Sequence, residues 1–129
     1  MPLVSIDVLK GRSDAEKQAL MLSLHSAFVE ALKILDDDRK YRLREYTPAE
    51  FMIPPGKSAR YVVVEASLFP GRSLAAKRRL YQAIVRNFGK LGIPPDEVFI
   101  VLHEPQMENW GIRGGLPASE VELGFEVRV

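Results

Sequence analysis

Gly11-Arg12-Ser13 recurs sixty residues later as Gly71-Arg72-Ser73, and the match runs on without a gap. Ala15, Lys17, Leu20, Phe28 and Asp36 face Ala75, Lys77, Leu80, Phe88 and Asp96, so eight residues between 11 and 36 coincide with their counterparts. The chain reads as a duplicated unit. Repeats that stack into a solenoid need at least three copies to close a continuous core, so two copies must pack on each other. With 129 residues, 47% of them apolar, the prediction is one domain over 1–129. Its pseudo-repeats are placed at 2–46 and 60–104, followed by a tail from 105 to 129.

Each copy predicts strand, turn, helix, strand, an α/β (α+β) pattern of duplicated β-α-β units. In the first copy Leu3 to Leu9 is the strand and Gly11 the turn. Ser13 followed three residues later by Glu16 is a capping box that starts a helix. Leu20, Leu24, Phe28, Ala31 and Leu35 recur at spacings of three and four, so they form its buried stripe, and the helix is expected to end near Leu35. Asp36-Asp37-Asp38 belongs just past that end, where the negative pole of the helix no longer repels it. Tyr41 to Tyr46 is the second strand. Pro48, Pro54, Pro55 and Gly56 make residues 47–59 a loop joining the copies. The second copy offers a strand from Tyr61 to Phe69 and a helix from Ser73 with Leu80, Ile84, Phe88 and Leu91 inward, stopping at Gly92. Val98 to Leu102 is apolar throughout, which predicts a strand buried on both faces. Leu123, Phe125, Val127 and Val129 alternate with polar residues and predict a last strand.

Composition removes several classes of function. Net charge is +1 and the 18 basic residues are spread along the chain, so no nucleic acid is expected as partner. Cysteine is absent, which excludes disulfides and thiolate catalysis and fits a cytoplasmic location. No apolar run is long enough to span a bilayer, and no membrane partner is expected. His25 and His103 lack a second ligand at metal-binding spacing and are read as structural, so no metal is expected. Gly111-Ile112-Arg113-Gly114-Gly115 lacks the lysine and hydroxyl residue of a phosphate loop.

The most unusual chemistry lies at residue 2. Removal of Met1 would expose Pro2 as a secondary amine at the head of an apolar strand. In an apolar pocket near a cation the ammonium form is disfavoured, and its pKa falls from about 8 toward neutrality, where a general base works best. Met-Pro starts are common, and residue 2 alone does not separate a working amine from an ordinary terminus. Parallel strands joined by a crossover helix return the chain to the edge where the first strand began, so Asp38 belongs on the Pro2 edge. If the copies meet antiparallel about a pseudo-twofold axis, Arg72 joins them and its duplicate Arg12 falls on the opposite edge, where no free amine exists. Arg72 reads equally as a solvated residue at a helix start or as an anion-binding group. Asp38 reads as a solvated loop acid or as part of a site, and Trp110 as a lid over the core or as a pocket wall.

An N-terminal proline heading a duplicated β-α-β chain resembles the tautomerase superfamily. The two Gly-Arg-Ser turns, Asp38-Arg39, Pro95-Asp96-Glu97-Val98 and Glu108-Asn109-Trp110-Gly111 look like the branch that contains malonate semialdehyde decarboxylase. The resemblance implies a four-stranded mixed sheet with two helices on one face, assembled as a homotrimer, and a reaction that uses no cofactor on a small carboxylate substrate. It implies that Pro2 is the catalytic amine, Asp38 the acid that orients or activates water, Arg72 the carboxylate-binding arginine and Trp110 a tryptophan of the site. One departure stands out: the decarboxylase has two arginines flanking a proline after the third strand, whereas this chain has Phe69-Pro70-Gly71-Arg72. Arg113 is the candidate to restore the lost charge. The expected activity is keto-enol interconversion of a small 2-oxo acid. Decarboxylation or hydration is the alternative, and a non-catalytic trimeric binding protein the third.

Overall fold

Strand β1 (Leu3–Leu9) alternates so that Val4, Ile6 and Val8 point into the core, while Ser5 and Asp7 point the other way. Burying each of the three is worth about 1.5–3 kcal/mol relative to exposure. Helix α1 (Asp14–Leu32) follows the turn at Gly11, and β2 (Tyr41–Tyr46) closes the first unit. β3 (Val62–Ser67), α2 (Leu74–Gly89) and β4 (Val98–His103) repeat that order. The computed structural model describes residues 2–124. Of the strand expected from Leu123 to Val129, residues 125–129 lie outside those described, and Leu123 and Gly124 are not in a strand.

The four strands form one sheet in the order β2-β1-β3-β4, parallel within each unit and antiparallel between β1 and β3. The antiparallel seam at the centre relates the two units by a pseudo-twofold axis. α1 and α2 lie on one face, their buried Leu20, Leu24, Phe28, Leu80, Ile84 and Phe88 packed against Ile6, Val62 and Val64. The helices are also tied to each other: Asn87 Nδ2 donates to the Ser23 carbonyl at 3.0 Å, and Arg86 grips Glu30 through two nitrogens at 2.6 and 3.1 Å. A short hairpin of β5 (Gly111–Ile112) and β6 (Leu116–Pro117) follows the sheet.

Both helices start as their sequences dictate. Ser13 and Ser73 are extended N-caps that accept from Glu16 N–H and Ala76 N–H, and Glu16 completes the first box by accepting from Ser13 N–H. The glycine two residues before each cap has φ of 140° and 129°, a conformation that disfavours any side chain.

The ends differ from expectation. α1 stops at Leu32, because Lys33 turns left-handed (φ 59°) and its N–H goes back to the Val29 carbonyl, so Leu35 lies past the helix and is 58% exposed. α2 stops at Gly89 rather than Gly92, leaving Leu91 exposed in the following turn. β4 is not buried on both faces: as an edge strand it packs one side on the helices, while Phe99 on the other side is 54% exposed. Among the described residues no helix is long and apolar enough to cross a membrane.

Candidate active site

Strand register brings three segments together at one edge of the sheet. In the parallel pair Val4 faces Tyr41, and Val4 N–H donates to the Lys40 carbonyl at 2.9 Å, so Pro2 lies beside the start of β2 and the loop that carries Asp38. In the antiparallel pair Leu3 faces Ser67, so residues 68–72 leave the sheet beside Pro2. The end of β4 joins them through Leu68 N–H donating to the His103 carbonyl at 2.8 Å. Pro2, Asp38 and Arg72 therefore share the edge on which they were expected, with Arg12 at the other end of the sheet. Pro2 itself is buried.

Arg72 is not a solvated cation. It is 6% exposed, and its Nη1 donates to the Phe69 carbonyl at 3.3 Å. Nε and Nη2 are also buried and have no hydrogen-bond partner among the described residues. Those two nitrogens sit on the same side of the guanidinium with parallel N–H bonds, the fork that takes both oxygens of a carboxylate. Burial pushes Arg72 below its ordinary pKa and the charge of Glu104 partly offsets this, but a guanidinium remains charged at any working pH. A buried donor left without a partner costs about 1–3 kcal/mol, and more when charged, so an oxyanion in this fork would relieve a standing penalty.

Asp38 has a side chain only 13% exposed, with Lys40 Nζ at 2.6 Å from Oδ1. Burial pushes its carboxyl up, but the hydrogen bond from Lys40 and nearby positive charge outweigh this and hold it below the ordinary carboxylate range. It is ionised at neutral pH. Behind it, the buried His25 clamps the loop: Nε2 meets the Asp36 carbonyl at 2.8 Å and Nδ1 the Tyr41 hydroxyl at 2.7 Å. A carbonyl can only accept, so Nε2 carries the proton and, in the neutral ring, Nδ1 accepts from Tyr41. Burial and then the charge of Asp38 raise the Tyr41 pKa, which keeps that phenol a donor.

Trp110 sits half-buried with its ring edge-on to Phe69, centroids 4.8 Å apart, and its Nε1–H donates to the Pro105 carbonyl at 3.1 Å. It therefore flanks the segment that ends in Arg72. Arg113 does not join the group. It is exposed in the turn between β5 and β6, and its Nη1 donates to the Glu122 carbonyl at 2.9 Å, so the second arginine expected near Arg72 is not supplied from there.

Several neighbours went unrecognised in the sequence. Phe69 holds both Arg72 and Trp110, and Lys40 holds Asp38. Glu104, paired with Lys77 at 2.6 Å, faces Arg72. The signal for that pair was the duplication itself, since Lys17 pairs with Glu45 at 3.0 Å in the first unit, likewise from a first helical turn to the end of a second strand. Among the described residues no group of three or more His, Asp or Glu side chains is placed to hold a metal ion.

With this geometry in view, two family models described as tautomerase enzyme match the chain, one over residues 38–113 and the other over residues 2–60. A probable tautomerase of Bacillus subtilis (strain 168), YusQ, is 29% identical over 121 residues, covering 89% of this chain and 95% of its own. Among solved structures, a malonate semialdehyde decarboxylase with decarboxylase and hydratase activities is 28% identical with a TM-score of 0.81, covering 87% of this chain and 92% of that one. A fused 4-OT solved as a symmetric trimer is 27% identical with a TM-score of 0.78, covering 91% of this chain and 96% of that one. The chain belongs to the tautomerase family, in the branch that resembles malonate semialdehyde decarboxylase.

Proposed function

We propose that this chain is a cofactor-independent tautomerase that interconverts the enol and keto forms of a small 2-oxo acid, with Pro2 as the proton carrier once Met1 has been removed. The observation that carries the reading is the buried fork of Arg72, whose Nε and Nη2 have no hydrogen-bond partner among the described residues, on the same sheet edge as Pro2. The substrate carboxylate lies in that fork, which fixes its plane and places the reacting carbon toward the N-terminal edge. Neutral Pro2 takes the proton of the enol hydroxyl and its ammonium returns a proton to carbon, so no net charge is gained or lost over the cycle. The burial of Pro2 and the positive charge of Arg72 both favour the neutral amine. Asp38, ionised and held by Lys40, orients the amine and the substrate, and Trp110 walls the site.

The assembly that fits is a homotrimer. The sheet face away from the helices carries Phe99, Val101 and a polar network in which Arg44 bonds Asp7 at 2.9 Å and His103 bonds Glu65 at 3.0 Å, a surface that neighbouring copies can cover. The trimeric fused 4-OT supports this arrangement.

A second reading rests on Asp38 and on the likeness to a protein with decarboxylase and hydratase activities. There, protonated Pro2 polarises a carbonyl and Asp38 positions water. The test is to follow an enol of a small 2-oxo acid by ultraviolet absorbance, and a 3-oxo acid by carbon dioxide release, with processed wild type and with Pro2→Ala. Ketonisation that depends on Pro2, without carbon dioxide, supports tautomerisation. Pro2-dependent carbon dioxide release transfers the assignment to the second reading, and equal rates in both proteins leave a binding protein.

A further inference from the structure

The duplication leaves a second Gly-Arg-Ser turn at the opposite edge of the sheet, and its surroundings differ from those of the first. Arg12 Nη2 donates to the Arg60 carbonyl at 3.4 Å, and Arg60 Nη1 donates to the Gly92 carbonyl at 3.0 Å. Each guanidinium is thus oriented by a neutral backbone acceptor. Among the described residues neither guanidinium has a carboxylate within ion-pair distance, and nor does Lys10 in the same cavity. Of the acids nearby, Glu16 accepts from Ser13 N–H in its capping box, and Glu45 pairs with Lys17. Burial lowers the Arg12 pKa and the charge of Arg60 lowers it further, against the opposing charges of Glu16 and Glu45.

These groups line a cavity of about 240 Å³ that includes Lys10, Arg12, Glu16 and Arg60. A second cavity of about 260 Å³ shares Arg12, Glu16, Leu91 and Ile93 with it and adds Ala19 and Leu20. Around the two cavities Lys10, Arg12 and Arg60 outnumber Glu16, and Leu20, Leu91 and Ile93 supply an apolar wall. An inorganic anion would meet the cations and leave that wall uncovered, whereas a short-chain carboxylate contacts both.

We propose that this edge is a second, non-catalytic binding site for a small organic carboxylate, with Arg12 and Arg60 gripping the carboxylate and Leu20, Leu91 and Ile93 receiving its hydrocarbon body. It stands apart from the reaction proposed at Pro2, because the N-terminal amine lies at the opposite end of β1. On the proposed reading the chain has two carboxylate sites, of which only the one beside Pro2 can turn its ligand over.

The experiment is a titration of the full chain with butyrate, reading the arginine Nε–Hε signals in ¹H–¹⁵N spectra, with acetate, formate and inorganic phosphate as parallel probes. The expected result is a saturable shift of the Arg12 and Arg60 signals in wild type and equally in Arg72→Met, with affinity rising about fourfold for each added CH₂. Arg12→Gln and Arg60→Gln, made separately, each weaken that binding at least tenfold while the Arg72 signal still responds. Shifts confined to Arg72, an affinity independent of chain length, or phosphate binding more tightly than butyrate would each overturn the proposal. Because the Arg72→Met arm removes the catalytic fork, failure of the tautomerase reading leaves these outcomes unchanged.

Discussion

Phe69 and Trp110 meet edge to face with centroids 4.8 Å apart, and the carbonyl of the same Phe69 holds the one engaged nitrogen of Arg72. The only tryptophan of the chain is therefore one residue removed from the anion fork. Titration with acetate is expected to change its emission saturably, and Arg72→Met is expected to abolish the change. Emission that responds identically in both proteins would separate Trp110 from the fork. Phe69→Ala removes a fully buried ring and should cost about 3–5 kcal/mol in chemical denaturation, with loss of the acetate response.

Arg72 sets stability against binding. Replacing a buried, incompletely paired charge by an apolar side chain of similar length is often neutral or stabilising by about 1–4 kcal/mol. Arg72→Met should therefore lose roughly 10²-fold or more in kcat/KM, as two charge-assisted bonds to substrate disappear, while its midpoint in urea stays the same or rises. A variant that is both inactive and markedly less stable would mean that Nε and Nη2 are satisfied within the fold.

Activity should depend on the amino terminus as a chemical group. Blocking removal of Met1, or replacing Pro2 by Ala, is expected to lower kcat by about 10²–10⁴-fold, the range of general acid-base catalysis. Intact mass after incubation with a small halogenated carboxylic acid should show one adduct per processed chain, mapped to Pro2. An adduct mapped elsewhere would remove Pro2 from the mechanism.

The depressed pKa of Asp38 has a definite sign. A carboxyl that ionises more readily folded than unfolded stabilises the fold at pH values above its unfolded pKa of about 3.9, and that contribution is lost as pH falls through the folded value. Acid unfolding of wild type should therefore be steeper below about pH 4 than that of Asp38→Asn, with the two curves parallel near neutrality. Superimposable acid limbs would show that Lys40 and its surroundings give Asp38 no net support.

His25 holds the Asp38 loop through Asp36, so His25→Phe should raise KM or lower kcat without touching substrate, and it should also shift the acidic limb of the pH–rate profile, which a purely structural cavity would leave in place. An unchanged profile with reduced stability would confine His25 to packing.

Much of this architecture was readable in the residues. The Gly-Arg-Ser repeat predicted two copies of one unit, and the capping residue Ser13 and the stripe from Leu20 to Ala31 placed the first helix, because both depend on local chemistry. The end of the first helix was misplaced because Lys33 adopts the left-handed conformation usually left to glycine, just before the buried Ile34, and no local signal announces it. Val98 to Leu102 misled because an apolar run reads the same whether a strand is central or, as here, lies at the edge of a mixed sheet. At the site, Asp38 and Arg72 could be brought to the Pro2 edge by connectivity alone. The orphaned fork of Arg72 could not, since it depends on where the Phe69 carbonyl points, and the surroundings of Arg113 depend on a hairpin whose direction the sequence leaves open.

The seam between β1 and β3 also orders events in time. β1 emerges first during synthesis, but its antiparallel partner follows roughly sixty residues later, a lag of about 3–12 s at 5–20 residues per second. Until that partner arrives, the head of the chain has one neighbouring strand at most and its first residues are open to the enzymes that trim nascent proteins. Once β3 docks, Pro2 is enclosed. Under the proposed mechanism, in which Pro2 acts as a free amine, that delay built into the topology is an interval in which Met1 can be removed.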